Sequence, residues 1–282
     1  MDTRFEEVRN LIRLTPEEVI EKAGSHLIVC ENIENLYLHF AEDICNAIKL
    51  NNISETPTRL ILPVGPVGQY PILVNLIENE NISLKNCWFF FMDEYCDEDG
   101  FALTTNHPLS LKRIAKALFL LPLKGKFELN KSQIFFPDET NINMFNKLID
   151  NVGGIEICYG GIGIHGHVAF NEPMRNIAKT DPRKVVLNDF TITINSIRAK
   201  VGGNLENFPK EAFTIGMKQI LGAQKIRLYC RNGLFLDWAN TVLRIALFGN
   251  PGDDYPVTYI RKHPDYKIIT DKDTLATPIN QL

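Results

Sequence analysis

Residues 87–95, CWFFFMDEY, place an almost unbroken apolar run directly before two carboxylates. A strand that is apolar on both faces is typical of a parallel sheet whose two sides are covered. Further short apolar runs alternate with longer amphipathic stretches along the chain. These runs are residues 27–30, 58–65, 155–161, 184–189, 225–233 and 266–271. The alternation predicts an α/β fold, with a mostly parallel sheet and helices on both of its faces.

Helices are predicted between these strands. In residues 32–48, apolar side chains from Leu36 to Ile48 recur at helical spacing, and Asn32 or Asn35 can cap the first turn. Further helices are predicted in residues 70–80, 107–120, 143–151, 209–221 and 234–248. The chain is therefore divided into an N-terminal helical extension, residues 1–25, and a single α/β domain, residues 26–282.

Composition excludes several classes of partner. A net charge of -4 over 282 residues gives no electrostatic basis for binding nucleic acid or an anionic membrane. No apolar run reaches the ~20 residues that a membrane helix needs, and residues 1–14 are too acidic for a signal peptide. The six cysteines show no Cys-x-x-Cys spacing and are expected to be mostly buried free thiols. Together these features predict a cytoplasmic protein that binds neither nucleic acid nor membrane.

The residues just after each apolar run are the place to search for a site, because ligands of open α/β sheets bind beyond the carboxyl ends of the strands. Asp93 directly follows a row of aromatic side chains. Partial desolvation there raises the pKa of a carboxylate and makes it a usable base, although Asp93 can also serve only to cap a turn. Asp97, Glu98 and Asp99 are expected to form a solvated acidic loop.

A second strand exit, residues 160–173, reads GGIGIHGHVAFNEP. Its glycines allow a close approach of backbone to a ligand. His167 and Glu172 can form an imidazole–carboxylate couple if the chain turns into a helix between them. A metal site at His165 and His167 is an alternative, but a third ligand is missing, and both can also be ordinary turn residues. No metal is expected.

The order of three motifs resembles the glucosamine-6-phosphate deaminase (isomerase) family. The motifs are MDEY (92–95), GGIGIHGHVAFNEP (160–173) and FPKEAFTIGMKQIL (208–221), and the likeness extends from about residue 27 to about residue 271. The AFNEP tail separates this family from the related 6-phosphogluconolactonases. The resemblance implies a Rossmann-like three-layer α/β/α sandwich, a small-molecule sugar phosphate as partner, and neither metal nor organic cofactor. The sequence does not determine the oligomeric state, and a homo-oligomer is one alternative because members of such families often form oligomers.

The resemblance also implies roles for individual residues. Asp93 matches the base that moves a proton between C2 and C1 of the opened amino sugar. His167 matches the histidine that opens the pyranose ring at the ring oxygen, and Glu172 matches the carboxylate that supports it. Lys210 matches a lysine that contacts the substrate phosphate. Aldose–ketose chemistry needs one base beside the C–H bond and one acid–base group at the ring oxygen, which fits this assignment.

The catalytic loop departs from the family pattern at one position. His165 stands where the family carries an acid, in the group that tunes the catalytic histidine. The exchange removes a negative charge, and a protonated His165 would depress the pKa of His167. Ring opening is therefore expected to be altered.

The phosphate loop departs as well. The family uses Ser/Thr-Gly-Gly-Thr/Ser, whereas residues 64–67 read VGPV, without hydroxyls and with a proline that has no N–H. Gly65, Gly68 and Gln69 can still bind an anion through the backbone. Arg198 comes one residue later than the family's phosphate arginine. These departures predict an altered substrate specificity.

Three functions follow from these matches and departures. The first is an isomerase or deaminase-type enzyme that acts on an amino-sugar or related sugar phosphate. The second is a non-catalytic sugar-binding protein that reuses the pocket. The third is a lactonase-type hydrolase with His167 as base on a water molecule, against which the AFNEP tail argues.

Overall fold

The computed structural model describes residues 3–127, 129–233 and 238–281, and a parallel sheet forms its centre. In chain order the strands are β1 (Leu27–Cys30), β2 (Thr58–Leu62), β3 (Cys87–Phe91), β4 (Asp93–Tyr95), β5 (Ile134–Phe135), β6 (Ile157–Gly161), β7 (Arg183–Val186), β8 (Glu211–Thr214), β9 (Lys225–Tyr229) and β10 (Tyr266–Asp271). Seven strands form the main sheet in the order β1-β10-β9-β6-β2-β3-β5, and its described pairs are parallel. The remaining three form a small antiparallel sheet in the order β4-β8-β7.

The helices of the described residues connect these strands. They are α1 (Arg4–Ile12), α2 (Pro16–Ala23), α3 (Ile33–Ile53), α4 (Gln69–Glu80), α5 (Leu111–Ala115), α6 (Phe145–Asn151), α7 (Asp189–Arg198), α8 (Met217–Leu221), α9 (Ala239–Phe248) and α10 (Lys272–Leu275). A π-helical turn, Lys116–Leu120, continues α5. The predicted cap of α3 is confirmed, since the Asn32 side chain accepts a hydrogen bond from the backbone N–H of Asn35.

The main sheet is covered on both faces, which confirms the three-layer α/β/α arrangement. Along β3, Phe89 and Phe91 pack in one hydrophobic cluster and Phe90 packs in the other. The first cluster includes side chains of α3 and α4, and the second includes side chains of α6, α8 and α9. Because successive strand residues point to opposite faces, burial of both faces demands an unbroken apolar run.

Three predicted elements are wrong in detail. The run of residues 87–95 is two strands, because the backbone leaves the main sheet at Met92 and β4 pairs with β8. Residues 209–221, predicted as a helix, contain β8 and then α8. Strand β8 pairs with β4 on one side and β7 on the other, so tertiary pairing overrides the local helical spacing. Residues 184–189, predicted as a strand of the parallel sheet, contain β7 of the small antiparallel sheet. Strand β5 and helix α7 were not predicted.

The N-terminal helices pack against α9. Thr3 and Thr15 cap α1 and α2 through capping boxes. Arg244 of α9 is fully buried and donates hydrogen bonds to the carbonyl oxygen of Leu14, which follows α1. The division into an extension and one domain stays a prediction.

All six cysteines are free and buried, as predicted. Within residues 3–127, 129–233 and 238–281, no helix is long and apolar enough to cross a membrane.

Candidate active site

A cavity of about 350 Å³ opens at the carboxyl ends of the central strands. Its wall is built by the segments that follow β2, β3, β6 and β9, together with side chains of α7. The predicted residues on this wall are Gly65, Asp93, His167 and Arg198. Strand exits that are far apart in the sequence therefore meet at one edge of the sheet.

Asp93 is the first residue of β4 and is only 9% exposed. Burial, with a smaller contribution from the neighbouring Glu94, raises the pKa of Asp93 to about 7. A carboxylate whose pKa lies near neutrality can both accept and return a proton. The position of Asp93 on the cavity wall gives it the properties of a general base.

Glu94 points away from the cavity and has a structural role. Its carboxylate accepts hydrogen bonds from the Ser110 hydroxyl and from the backbone N–H groups of Leu111 and Lys112, at 2.8–2.9 Å. It therefore caps the first turn of α5. The next acidic residues, Asp97, Glu98 and Asp99, are exposed, as predicted.

Two glycines of the second strand exit allow tight contacts that a side chain would block. A Cβ atom on Gly163 would lie 1.9 Å from Nε2 of His167, and one on Gly161 would lie 2.7 Å from the carbonyl oxygen of Gly65. The carbonyl oxygen of Gly163 also accepts a hydrogen bond from the backbone N–H of Gly166, in the turn that leads to His167. The absence of side chains at these glycines therefore allows the His167 ring to pack closely against the backbone of the cavity wall.

His165 and His167 contact each other through their rings. Their Nδ1 atoms lie 3.3 Å apart, which is a hydrogen-bond distance. Burial, and then the neighbouring His165 and Arg198, lower the pKa of His167 to about 3. Burial also lowers the pKa of His165. Both imidazoles are neutral at physiological pH.

The structure does not form the predicted couple between His167 and Glu172. Residues 168–172 form turns rather than a helix, and the Asn171 side chain fixes them by donating to the carbonyl oxygens of Val168 and Ile215. Oε2 of Glu172 instead accepts a hydrogen bond from the backbone N–H of Asn188, the N-cap residue of α7, at 2.9 Å. Spacing along the chain predicted a contact that the turn geometry does not make.

The predicted phosphate residues are only partly brought together. Gly65 lies on the cavity wall, whereas Gly68 packs under the Tyr37 ring. The Gln69 side chain is buried and donates to the carbonyl oxygen of Pro66, so it supports the loop. Lys210 is exposed and its Nζ donates to the carbonyl oxygen of Leu205, away from the cavity wall.

Arg231 lies two residues after the end of β9 and was not predicted as a site residue, because it falls inside the predicted strand run of residues 225–233. It lines the cavity, and its guanidinium carbon lies 5.5 Å from the centre of the Tyr37 ring. Arg198, at the end of α7, stacks on Trp238 at 4.1 Å. Two arginines held against aromatic rings thus supply positive charge to this cavity.

His165 also lines a second cavity of about 410 Å³, and His167 is not among the residues on its wall. Side chains of α1 form much of its wall. Arg4 there is already paired with Asp254, at 2.7 and 2.8 Å. Among the described residues no group of three or more His, Cys, Asp or Glu side chains could hold a metal ion.

Comparisons with known proteins agree with the motifs. No protein-family model matches the chain. The glucosamine-6-phosphate deaminase of Borrelia garinii subsp. bavariensis is 32% identical over 209 residues, which cover 71% of this chain and 74% of that protein. The solved structure of a monomeric glucosamine-6-phosphate deaminase is similar with a TM-score of 0.74 at 26% identity, covering 88% of this chain and 98% of that one. A 6-phosphogluconolactonase from Thermotoga maritima shares the fold, with a TM-score of 0.64 at 13% identity over 87% of this chain and 99% of that one.

Proposed function

The chain belongs to the glucosamine-6-phosphate deaminase family, and we propose that it acts on an amino-sugar phosphate or a related sugar phosphate by ring opening and C1/C2 proton transfer. The observation that carries this proposal is that Asp93 and His167, from different strand exits, line one cavity. Asp93 serves as the base at carbon and His167 as the acid–base group at the ring oxygen. This is the minimum set that aldose–ketose chemistry requires.

The proton transfer uses the raised pKa of Asp93. The ionised carboxylate takes the proton from C2 of the open-chain sugar, and the electron pair of the broken C–H bond forms the C1=C2 double bond. The C1 oxygen, which gains the former carbonyl electron pair, takes up a proton from the neighbouring C2 hydroxyl or ammonium group, which gives an enol or enamine. The protonated carboxyl then returns the proton to C1. Because its pKa is about 7, neither step is strongly uphill at neutral pH. Ring opening comes first: the bond between C1 and the ring oxygen breaks and the C1 carbonyl forms. His167 donates its proton to the ring oxygen and takes up the proton that the C1 hydroxyl loses, so that its own protonation state is restored.

The substrate anion would be held differently from the family pattern. The loop of residues 64–67 offers no hydroxyl, so the positive charges of Arg198 and Arg231 take over part of the binding. The missing loop hydroxyls also support a substrate specificity that differs from that of a standard deaminase. The predicted role of Lys210 requires a movement toward the cavity.

The test is a turnover assay over a panel of sugar phosphates, including amino sugars and a sugar-acid lactone. We expect wild-type protein to convert at least one aldose or ketose phosphate, and Asp93→Asn to lose about 10²–10⁴-fold in kcat. Asp99→Asn is the matched control, because Asp99 is a nearby exposed carboxylate outside the cavity wall. Equal activity of Asp93→Asn and Asp99→Asn would refute the assignment.

A second candidate is a non-catalytic protein that binds sugar phosphates. The orientation of Glu172 supports this non-catalytic candidate. Its carboxylate accepts a hydrogen bond from the backbone N–H of Asn188, so His167 lacks the partner predicted for it. This candidate predicts that members of the panel raise the unfolding temperature without any turnover. Hydrolysis of the lactone alone would instead favour the lactonase alternative. The cytoplasmic location and the homo-oligomer stay predictions.

A further inference from the structure

The contact between His165 and His167 restricts where their protons lie. The two Nδ1 atoms are 3.3 Å apart, so one of them must donate and the other accept. Since a neutral imidazole carries one proton, the nitrogen that bonds the neighbour decides the state of the other nitrogen of the same ring. Two arrangements are therefore available to the neutral pair.

In the first arrangement His167 donates from Nδ1 to His165, and the proton of His165 must sit on its Nε2. That atom is enclosed, and it has no hydrogen-bond partner among the described residues. A buried N–H group without an acceptor is rare and costly in folded proteins. The first arrangement therefore leaves an unsatisfied donor inside the protein.

In the second arrangement His165 donates from Nδ1 to Nδ1 of His167. Nε2 of His165 then carries only a lone pair, and a buried acceptor without a partner is less rare in folded proteins than a buried N–H group without one. The ring of Phe190 lies nearly perpendicular to that of His165, at a centroid distance of 5.5 Å. The proton of His167 must then sit on Nε2, beside Gly163 on the cavity wall.

We infer that His165 is a positioning residue that holds His167 as the neutral tautomer protonated on Nε2. His167 then meets a ligand as a proton donor. A carboxylate in place of His165 would do the opposite, because it accepts a proton from Nδ1 and leaves Nε2 of His167 as a base. The chemical consequence, a proton ready for the ring oxygen, rests on the proposed function, but the tautomer itself does not.

Nitrogen NMR of the ligand-free protein tests the tautomer directly. The protein is labelled with ¹⁵N-histidine, and long-range ¹H–¹⁵N correlations at pH 7 report which ring nitrogen of each histidine carries the proton. Signals of His167 are assigned by correlation to its backbone amide. We expect Nε2–H for His167 and Nδ1–H for His165. Nδ1–H on His167 in the wild-type protein would overturn the inference, and this result needs no variant.

Variants separate the positioning role from a merely structural one. His165→Asp should switch His167 to Nδ1–H, whereas the control His26→Gln, at a ring stacked on Tyr266, should leave the His167 pattern unchanged. An unchanged tautomer in His165→Asp would contradict the positioning role. If turnover is absent but the tautomers are as expected, the proposed function fails while this inference stands. If turnover is present with the reversed tautomer, the inference fails alone.

The pH profile gives a second readout when turnover is measurable. His165 and Arg198 are the charged or titratable groups that act most strongly on His167, and Asp93, Tyr95, Tyr229 and Arg231 line the same cavity. In His165→Asp a carboxylate replaces one of them and favours the imidazolium, so the acid limb of kcat/KM should move up by at least one pH unit. An acid limb that stays in place would argue against control of His167 by residue 165.

Discussion

At the scale of single residues, burial of Asp93 links catalysis to stability. Its pKa is raised from 3.8 to about 7, so the native state binds this proton more tightly than the unfolded state. The native state therefore loses stability as the pH rises from about 4 to 7, when the buried carboxyl must ionise. Asp93→Asn removes this loss. We expect the stability of the variant relative to wild type to increase by about 2–3 kcal/mol between pH 5 and pH 8.

Urea unfolding at the two pH values measures this difference, with Asp99→Asn as control. A relative stability of Asp93→Asn that is the same at pH 5 and pH 8 would mean that the Asp93 carboxyl is not desolvated in the native state. The base assignment would then lose its physical basis.

Gly163 provides a second test at this scale. A methyl group there would lie 1.9 Å from Nε2 of His167 and must displace the ring. Gly163→Ala should therefore lower kcat at least tenfold and cost about 1–3 kcal/mol of stability. Gly203→Ala is the matched control, because a Cβ atom at Gly203 meets nothing within 4 Å. Equal kcat values for the two variants would show that the function of His167 does not depend on its close contact with Gly163.

Single residues also show what a sequence can reveal of a site. Asp93 and His167 were identified because each follows an apolar run, and the structure brings both to one cavity. Arg231 escapes this rule, because it lies inside the predicted run of residues 225–233, and only the structure shows that β9 ends at Tyr229. The contact of Glu172 with His167 could not be judged, because five residues in a turn fix no distance between side chains.

At the scale of elements, Glu94 joins β4 to α5. Its buried carboxylate accepts the Ser110 hydroxyl and two amides of the first turn of α5. Glu94→Gln removes the charge and replaces an acceptor oxygen by a donor group, so we expect a loss of about 1–3 kcal/mol. Thermal unfolding of Glu94→Gln beside the exposed control Glu98→Gln measures it. Equal unfolding temperatures would exclude this cap as a stabilising element.

Elements differ in how far the sequence determines them. Six of the seven strands of the main sheet are predicted, because burial on both faces leaves continuous apolar runs, whereas β5, which is only two residues long, is not predicted. Strand β8 was predicted as a helix, since residues 211–214 become a strand only by pairing with β4 and β7. Those partners lie more than 20 residues away in the chain, and no local pattern records them.

At the scale of the whole molecule, residues 1–25 are tied to the rest through Arg244. Two nitrogens of this buried guanidinium donate to the carbonyl oxygen of Leu14, at 2.9–3.0 Å. A chain shortened to residues 26–282 loses that acceptor and uncovers α9. We expect it to be less stable by at least ~3 kcal/mol in urea unfolding, because a buried charge is left partly unpaired. An unchanged free energy of unfolding would show that the extension is dispensable.

The central claim is that Asp93 moves a proton between two carbons of an opened sugar phosphate. The most direct measurement follows a deuterium label at C2 of each aldose phosphate of the panel by proton NMR, because it detects the transfer even where complete turnover is slow. We expect the label to leave C2, for C1 or for water, with wild-type protein and with Asp99→Asn, and to stay with Asp93→Asn. Retention of the label at C2 by wild-type protein with every sugar phosphate, or its loss with Asp93→Asn, would contradict the account.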